Sequence, residues 1–302
     1  MFQKIDESEF SEHLINSDLV KKLIAEQFPE YAHLPIGSVR KQGHDNRTYR
    51  LGNDMLVRMP SAEYYALKVP KEQELLPLLK PYLSVDIPVP IKMGNPSHDY
   101  PFNFSIYKWL DGISANLLKL NDKALESIAI QLAKFLKELH GIVGIDGPSP
   151  GKHNGWGGDH VSVYDEGARK QISELSEIID EYKAMELWEQ ACKTKRNKIP
   201  VWIHGDFAFG NFLIKDGKLS GVIDFGGMAI GDPASDLVIA WTFLKGKSRE
   251  IFKQAMDLDS ETWLRARGWV LWKATFDLCE IEDKNSAEAL IQKRVIEEVL
   301  ED

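Results

Sequence analysis

The sequence predicts an α+β chain of two lobes: a small N-terminal lobe built on a β-sheet over residues 1–110, and a larger, mainly helical C-terminal lobe over residues 111–302. Three observations lead there. At 302 residues the chain is longer than one hydrophobic core usually serves, so two centres are expected. Apolar residues alternate in short, turn-bounded runs between Ile36 and Trp109, then recur at helical spacing from Asp122 onward. The composition, 43% hydrophobic and 27% charged, is that of a globular protein with enough apolar material for a sizeable core.

Taken in order, Phe10, Leu14, Leu19, Leu23, Ile24 and Phe28 predict an opening helix with Ser17 as its cap, ended by Pro29 and Pro35. Short strands follow at 38–42, 48–51 and 55–59, the last two joined at Gly52-Asn53. A helix over 62–79 places Glu72, Leu75, Leu76 and Leu79 on one face, and strands return at 90–93 and 102–109. Leu110-Asp111-Gly112 reads as a connector. Helices are then expected over 122–140 and 165–191, with three or four more from residue 233 to the end. Residues 141–160, rich in Gly, Pro and Asn, form a long loop of the kind that often carries function. One hairpin, 212–215 and 219–223, turns at Asp216-Gly217.

A net charge of −9 with no basic stripe argues against nucleic acid as a partner and suits a cationic small molecule. Two cysteines, Cys192 and Cys279, are too few for a disulfide framework and have no metal-site spacing. The N-terminal segment lacks an apolar signal core, and the longest apolar run, 237–244, falls well short of the ~20 residues a membrane span needs. No membrane is expected, and a cytoplasmic location follows as an expectation.

The chemistry concentrates between Trp202 and Leu237, in WIHGDFAFGNFLIKDGKLSGVIDFGGMAIGDPASDL. A loop after an apolar strand presents His204, Asp206 and Asn211, and the hairpin returns the chain to Asp224. Because hairpin ends lie side by side, Asn211 and Asp224 should converge although thirteen positions separate them. Their hard oxygen atoms suit magnesium, which is usually held by few protein groups plus substrate phosphates. A carboxylate just upstream, at Asp206, could accept a hydroxyl proton while a nucleophile is oriented.

HGDFAFGN followed by VIDFGGMAIGDPASDL resembles the core of the aminoglycoside phosphotransferase family, relatives of the protein kinases. The resemblance implies a bilobal, protein-kinase-like fold and transfer of a γ-phosphoryl group from ATP or GTP to a small-molecule hydroxyl. It implies Asp206 as the base, Asn211 and Asp224 as Mg2+ ligands, and His204 as support of the catalytic loop. Looser matches cover most of the chain. Gly43-His44-Asp45-Asn46 is similar to the family's abbreviated phosphate loop, with Gly43 and Asn46 as nucleotide contacts. Arg58 stands where protein kinases carry a phosphate-pairing lysine; Glu72, or else Glu74, is its candidate partner. Strand 104–110 would lead into the hinge, with contacts from Ser105 to Lys108, Ser105 and Tyr107 among them.

On the acceptor side, residues 155–160 and the acidic run Asp277, Glu280, Glu282 and Asp283 are candidates, and an aminoglycoside or related antibiotic is the leading acceptor. A housekeeping kinase of choline, homoserine or a sugar is the rival, a nucleotide-binding pseudokinase a further one, and a metal hydrolase built on His204, Asp206 and Asp224 the remotest. Asp232 and Asp236 read as helix caps, His140 as structural, and Trp241, Trp263, Trp269 and Trp272 as packing groups.

Overall fold

The computed structural model describes residues 15–39, 42–43, 45–195 and 199–302. Phe10, Leu14, His44 and part of the 38–42 strand therefore lie outside the described residues. The chain divides into two compact units, Met1–Pro81 with Asp86–Asp111 and Tyr82–Val85 with Gly112–Asp302.

The first unit is an antiparallel five-stranded sheet with helices. Helix α1 (Ser17–Gln27) is capped by Asn16, not Ser17: the Asn16 amide oxygen accepts from Asp18 N and Leu19 N, both at 3.0 Å. Asn is among the strongest caps because its oxygen reaches two otherwise orphaned amides. Strands β1 (Ile36–Ser38), β2 (Asn46–Leu51) and β3 (Met55–Pro60) are followed by α2 (Glu63–Ala66), α3 (Lys68–Leu79), β4 (Pro90–Gly94) and β5 (Phe104–Lys108), in sheet order β1-β2-β3-β5-β4. The first strand begins earlier than the sequence suggests, because Ile36 pairs opposite Leu51 and packs against the core below α1. The helix expected over 62–79 breaks at Leu67 into α2 and α3.

Strand alternation decides what this sheet does on each face. Tyr49, Leu51, Val57, Met59, Phe104 and Ile106 join the Val20, Leu23 and Ile24 face of α1 in one buried cluster. Burying a Phe or Ile side chain contributes roughly 1.5–3 kcal/mol, so this layer dominates the unit's stability. The intervening residues Asn46, Arg58, Ser105 and Tyr107 gather with Glu72 of α3 around one small cavity.

The second unit is mainly helical, with short sheets set among its helices. After β6 (Ile113–Ser114) come α4 (Asp122–His140), α5 (Asp165–Glu174) and α6 (Glu181–Lys193). The single helix expected over 165–191 is two, because Asp180 caps a new start, accepting from Lys183 N at 3.0 Å. Strands β7 (Val201–Ile203), β8 (Phe212–Lys215), β9 (Lys218–Val222) and β10 (Ala229–Gly231) precede α7 (Ile239–Thr242), α8 (Gly246–Met256), α9 (Ser260–Glu280) and α10 (Ala287–Glu301). The β8–β9 hairpin turns at Asp216 and Gly217, both at positive φ, the mirror-image turn that matches strand twist. Helix α9 runs against α5, α6 and α10, while α4 packs on α8. Trp241 and Trp263 meet edge-to-face at 6.0 Å, as packing groups do. Among the described residues no helix is long and apolar enough to cross a membrane.

Candidate active site

In the second unit, β7 delivers His204, Gly205 and Asp206, and its pairing with β10 fixes where that loop emerges. The His204 ring is fully buried, 4.5 Å from the Phe225 ring. Its Nε2 lies 3.0 Å from Ile223 O, and its Nδ1 accepts from Asp206 N at 3.3 Å. A neutral ring with its proton on Nε2 satisfies both bonds. His204 thus ties the Asp206 loop to the strand end that precedes Asp224, and its nitrogens are spent on backbone.

Asn211 and Asp224 meet as hairpin geometry requires. Ile223 N donates to Asn211 O at 2.9 Å, extending the ladder one step beyond Phe212 and Val222. Asn211 Nδ2 donates to Asp206 O at 3.0 Å and to Asp206 Oδ2 at 3.2 Å. The amide nitrogen is thus committed to Asp206, and Oδ1 is the atom of this side chain that could meet a cation. Asp224 is held at φ 66°, ψ 61°, a left-handed conformation that costs a non-glycine residue energy and marks functional turns.

Although Asp206 keeps a face open to solvent, its carboxyl is crowded by protein, and that desolvation pushes its pKa above the usual carboxylate range. The charge of Asp224 pushes the same way, while His204, the Asn211 bond and Lys273 oppose it. Two carboxylates close enough to repel, with an amide oxygen beside them, form a donor set that fits a hard divalent cation. Among the described residues no three His, Cys, Asp or Glu side chains gather into a metal-binding cluster.

Asp236 is the residue that sequence reading undervalued. Fully buried, it accepts from His204 N and Gly205 N, each at 2.9 Å, and lies 3.2 Å from His140 Nε2. It therefore holds the loop that carries Asp206 and is no helix cap. Asp232 does cap, accepting from Ala234 N at 3.1 Å, and pairs with buried Arg265 at 2.5 Å. The signal lay in their spacing: of two aspartates four apart, only the first sits at a helix start, so the second needs donors from elsewhere. Gly205 is required at its position, since φ is +79° and a Cβ would stand 2.1 Å from Gly227 O.

The loop over 141–160 is anchored to the same region. Asn154 Nδ2 donates to Gly227 O at 3.1 Å, and Tyr164 OH donates to Gly155 O. Trp156 sits at φ 60° between them. The acidic run is partly neutralised: Asp277 pairs with Lys273 at 2.5 Å, and Lys284 Nζ covers the carbonyls that end α9.

In the first unit, Arg58 Nη1 lies 3.3 Å from Glu72 Oε1, and Glu74 is exposed. With the Asn46 amide oriented to satisfy its bonds, its oxygen accepts from Arg58 Nη2 and Nε at 3.0 and 3.1 Å. Arg58 is thereby fixed from two sides. Gly43 O accepts from Arg47. Ser105 and Tyr107, expected among the hinge contacts, lie on β5 and line the small cavity. Ser105 Oγ accepts from Gln73 at 2.9 Å, and Tyr107 OH donates to Glu72 Oε2 at 2.5 Å. Both are buried, and the partners of their side chains come from α3. Burial and then Glu72 hold the Tyr107 phenol well above its ordinary pKa.

Comparison with known proteins agrees with this architecture. The phosphotransferase enzyme family profile matches residues 37–269. An aminoglycoside 3'-phosphotransferase of Escherichia coli is 31% identical over 126 residues, 39% of this chain and 44% of that protein. A second, from Salmonella typhimurium, matches to the same extent. The chain thus spans less than half the length of these relatives. Among solved structures, the GDP and kanamycin complex of APH(2")-IIia superimposes with a TM-score of 0.72 at 23% identity, covering 93% of this chain and 98% of that one. The apoenzyme of macrolide 2'-phosphotransferase MphH from Brachybacterium faecium gives 0.59 at 20%, covering 92% and 98%. At these identities the likeness is one of fold, here a kinase-like one. With more than half of its length matched by the family profile, the chain belongs to the phosphotransferase enzyme family.

Proposed function

We propose that the chain transfers the γ-phosphoryl group of ATP or GTP to a hydroxyl of a small molecule, an aminoglycoside or related antibiotic. The observation that carries this reading is the convergence of Asp206, Asn211 and Asp224 on one loop and the adjoining hairpin end, bonded through Asn211 Nδ2 to Asp206 Oδ2 at 3.2 Å. Asn211 Oδ1 and the Asp224 carboxylate would hold Mg2+, which when bound neutralises charge on the phosphate oxygens. Asp206 orients the acceptor hydroxyl and takes its proton at a carboxylate oxygen as the phosphoryl group moves; a pKa raised above the ordinary range makes it a better base than a free aspartate. Arg58, steadied by Glu72 and Asn46, offers its guanidinium to phosphate oxygens. His204 and Asp236 keep the Asp206 loop in place.

Relatives whose names state aminoglycoside 3'-phosphotransferase, and solved structures holding kanamycin or GDP, support an aminoglycoside acceptor and a purine nucleotide donor. A second reading, a kinase of a small metabolite, draws on Lys273. Its positive charge, already paired with Asp277, is the weakest influence on an Asp206 carboxyl whose pKa is raised on balance, and it adds a repulsion that a polycationic acceptor would meet and a neutral one would not.

The test is release of ADP or GDP by the purified chain with Mg2+ and either ATP or GTP, across kanamycin, gentamicin, a macrolide, choline, homoserine and simple sugars. Turnover dependent on an aminoglycoside or macrolide supports the antibiotic reading, and turnover on choline, homoserine or a sugar alone replaces it with the second. Nucleotide binding without transfer to any acceptor overturns both in favour of a pseudokinase.

A further inference from the structure

The glycine-rich stretch at 151–158 lies against the two segments that carry Asp206 and Asp224, and glycine stands at the points of closest approach. A Cβ on Gly157 would stand 3.1 Å from Gly205 O, and one on Gly205 would strike Gly227 O. Three backbones therefore pack directly on one another. Asn154 is a polar link across this layer. Its Oδ1 accepts from Gly151 N at 2.9 Å, while its Nδ2 donates to Gly157 O at 2.9 Å and to Gly227 O at 3.1 Å. Both amide hydrogens are used: one closes the stretch on itself, and the other crosses 73 positions to the turn after Asp224. The donor at Oδ1 settles which end of the amide faces Gly227.

That turn has a particular need. Asp224 is held at φ 66°, ψ 61°, and a non-glycine residue stays in this region only where its surroundings over-determine it. Upstream, Ile223 is pinned at both backbone atoms: its N donates to Asn211 O at 2.9 Å, and its O lies 3.0 Å from His204 Nε2. Downstream, Phe225–Gly227 form one tight helical turn, with Met228 N donating to Phe225 O at 2.9 Å. Gly227 O ends that turn and meets Asn154 Nδ2. We propose that Asn154 is a positioning residue for Asp224, fixing the downstream end of the strained turn and so aiming the carboxylate at the divalent cation. This rests on the reading of Asp224 as a Mg2+ ligand. The long loop then contributes to metal binding without offering a ligand of its own.

Calorimetry of ATP and GTP binding to the full chain, across a Mg2+ series and in EDTA, provides the test, beside melting temperatures. Asn154→Ala should raise the Mg2+ concentration that half-restores nucleotide affinity by about threefold to tenfold, below the usual loss for an outer partner of a ligand because it acts through backbone. Affinity in EDTA should not change. Asn154→Leu keeps the bulk, lacks both donors and should shift the series equally, which serves where the alanine variant does not fold. Tyr164→Phe is the matched control: it removes another anchor of the same stretch, the bond to Gly155 O, and leaves the Gly227 bond in place. It should lower Tm by roughly a few degrees, as Asn154→Ala does, with the Mg2+ series unmoved. A series unmoved in the Asn154 variants, an equal shift in Tyr164→Phe, or a loss of the same size in EDTA overturns the proposal and leaves the kinase reading intact. A wild-type chain whose nucleotide affinity is indifferent to Mg2+ overturns the metal reading and the proposal together.

Discussion

The two units treat charge in opposite ways. In the first, cations beside the cavity are matched to carboxylates, Arg58 to Glu72 and Lys68 to Asp45. In the second, the carboxylates around the Asp206 loop are met chiefly by amides, Asp206 by Asn211 Nδ2 and Asp236 by two backbone N–H groups beside His140, while the Asp232–Arg265 ion pair stands apart at a helix start. An ion pair fixes the orientation of its cation, at a desolvation cost that grows with burial. A carboxylate bonded to amides keeps its full charge, ready for a cation or a proton. The first unit thus holds the cations around its cavity as ion pairs, whereas the second holds Asp206 and Asp236 through amide donors.

The largest effect expected from this contrast is at Asp206. Asp206→Asn should lower turnover by about 10²–10⁴-fold, the usual worth of a positioned base, with nucleotide affinity nearly unchanged. Steady-state kinetics beside calorimetry decide it, and undiminished turnover would remove the second unit's loop from the chemistry. Next comes Asp224→Asn, which should weaken the magnesium-dependent part of nucleotide binding by on the order of tenfold to a hundredfold. If titrations with and without Mg2+ differ as much in the variant as in the wild type, Asp224 is not a ligand.

Asp236→Ala probes the amide-held carboxylates through stability. It leaves two buried N–H groups and His140 without their acceptor, at a cost of about 2–5 kcal/mol. For a unit of this size that is a fall in Tm of roughly 5–15 °C by calorimetry. Asp236→Asn keeps one acceptor oxygen and should fall between the wild type and the alanine variant. Equal melting of all three would mean that solvent already serves these amides.

What could be read from the sequence follows the same division. The second unit's site is local: His204 to Asp224 span one loop and one hairpin, and a turn at Asp216-Gly217 brings its ends together without help from the rest of the chain. The Arg58–Glu72 pair was legible because strand alternation and helix spacing each fix one partner's face. Ser105 and Tyr107 show what local pattern leaves out: their side-chain partners, Gln73 and Glu72, come from α3 across the sheet face, and no spacing along the strand announces them. Asp236 likewise draws its partners from the loop after β7 and from α4, 31 and 96 positions away, where no local pattern points.

The smallest expected effect sharpens the first unit's half of the comparison. Arg58 makes two kinds of bond at once, its Nη1 toward Glu72 and its Nη2 and Nε toward the Asn46 oxygen. A lysine carries the same charge but no planar fork, so Arg58→Lys can satisfy Glu72 and must lose Asn46 or the reverse. Asn46 begins β2, so losing that bond leaves the guanidinium oriented from the Glu72 side alone. The expected outcome is a rise in nucleotide KM of only a few-fold, with kcat held, because charge persists while orientation blurs. A large fall in kcat would instead mean that the guanidinium acts on the transition state, and the first unit would then do more than receive the triphosphate.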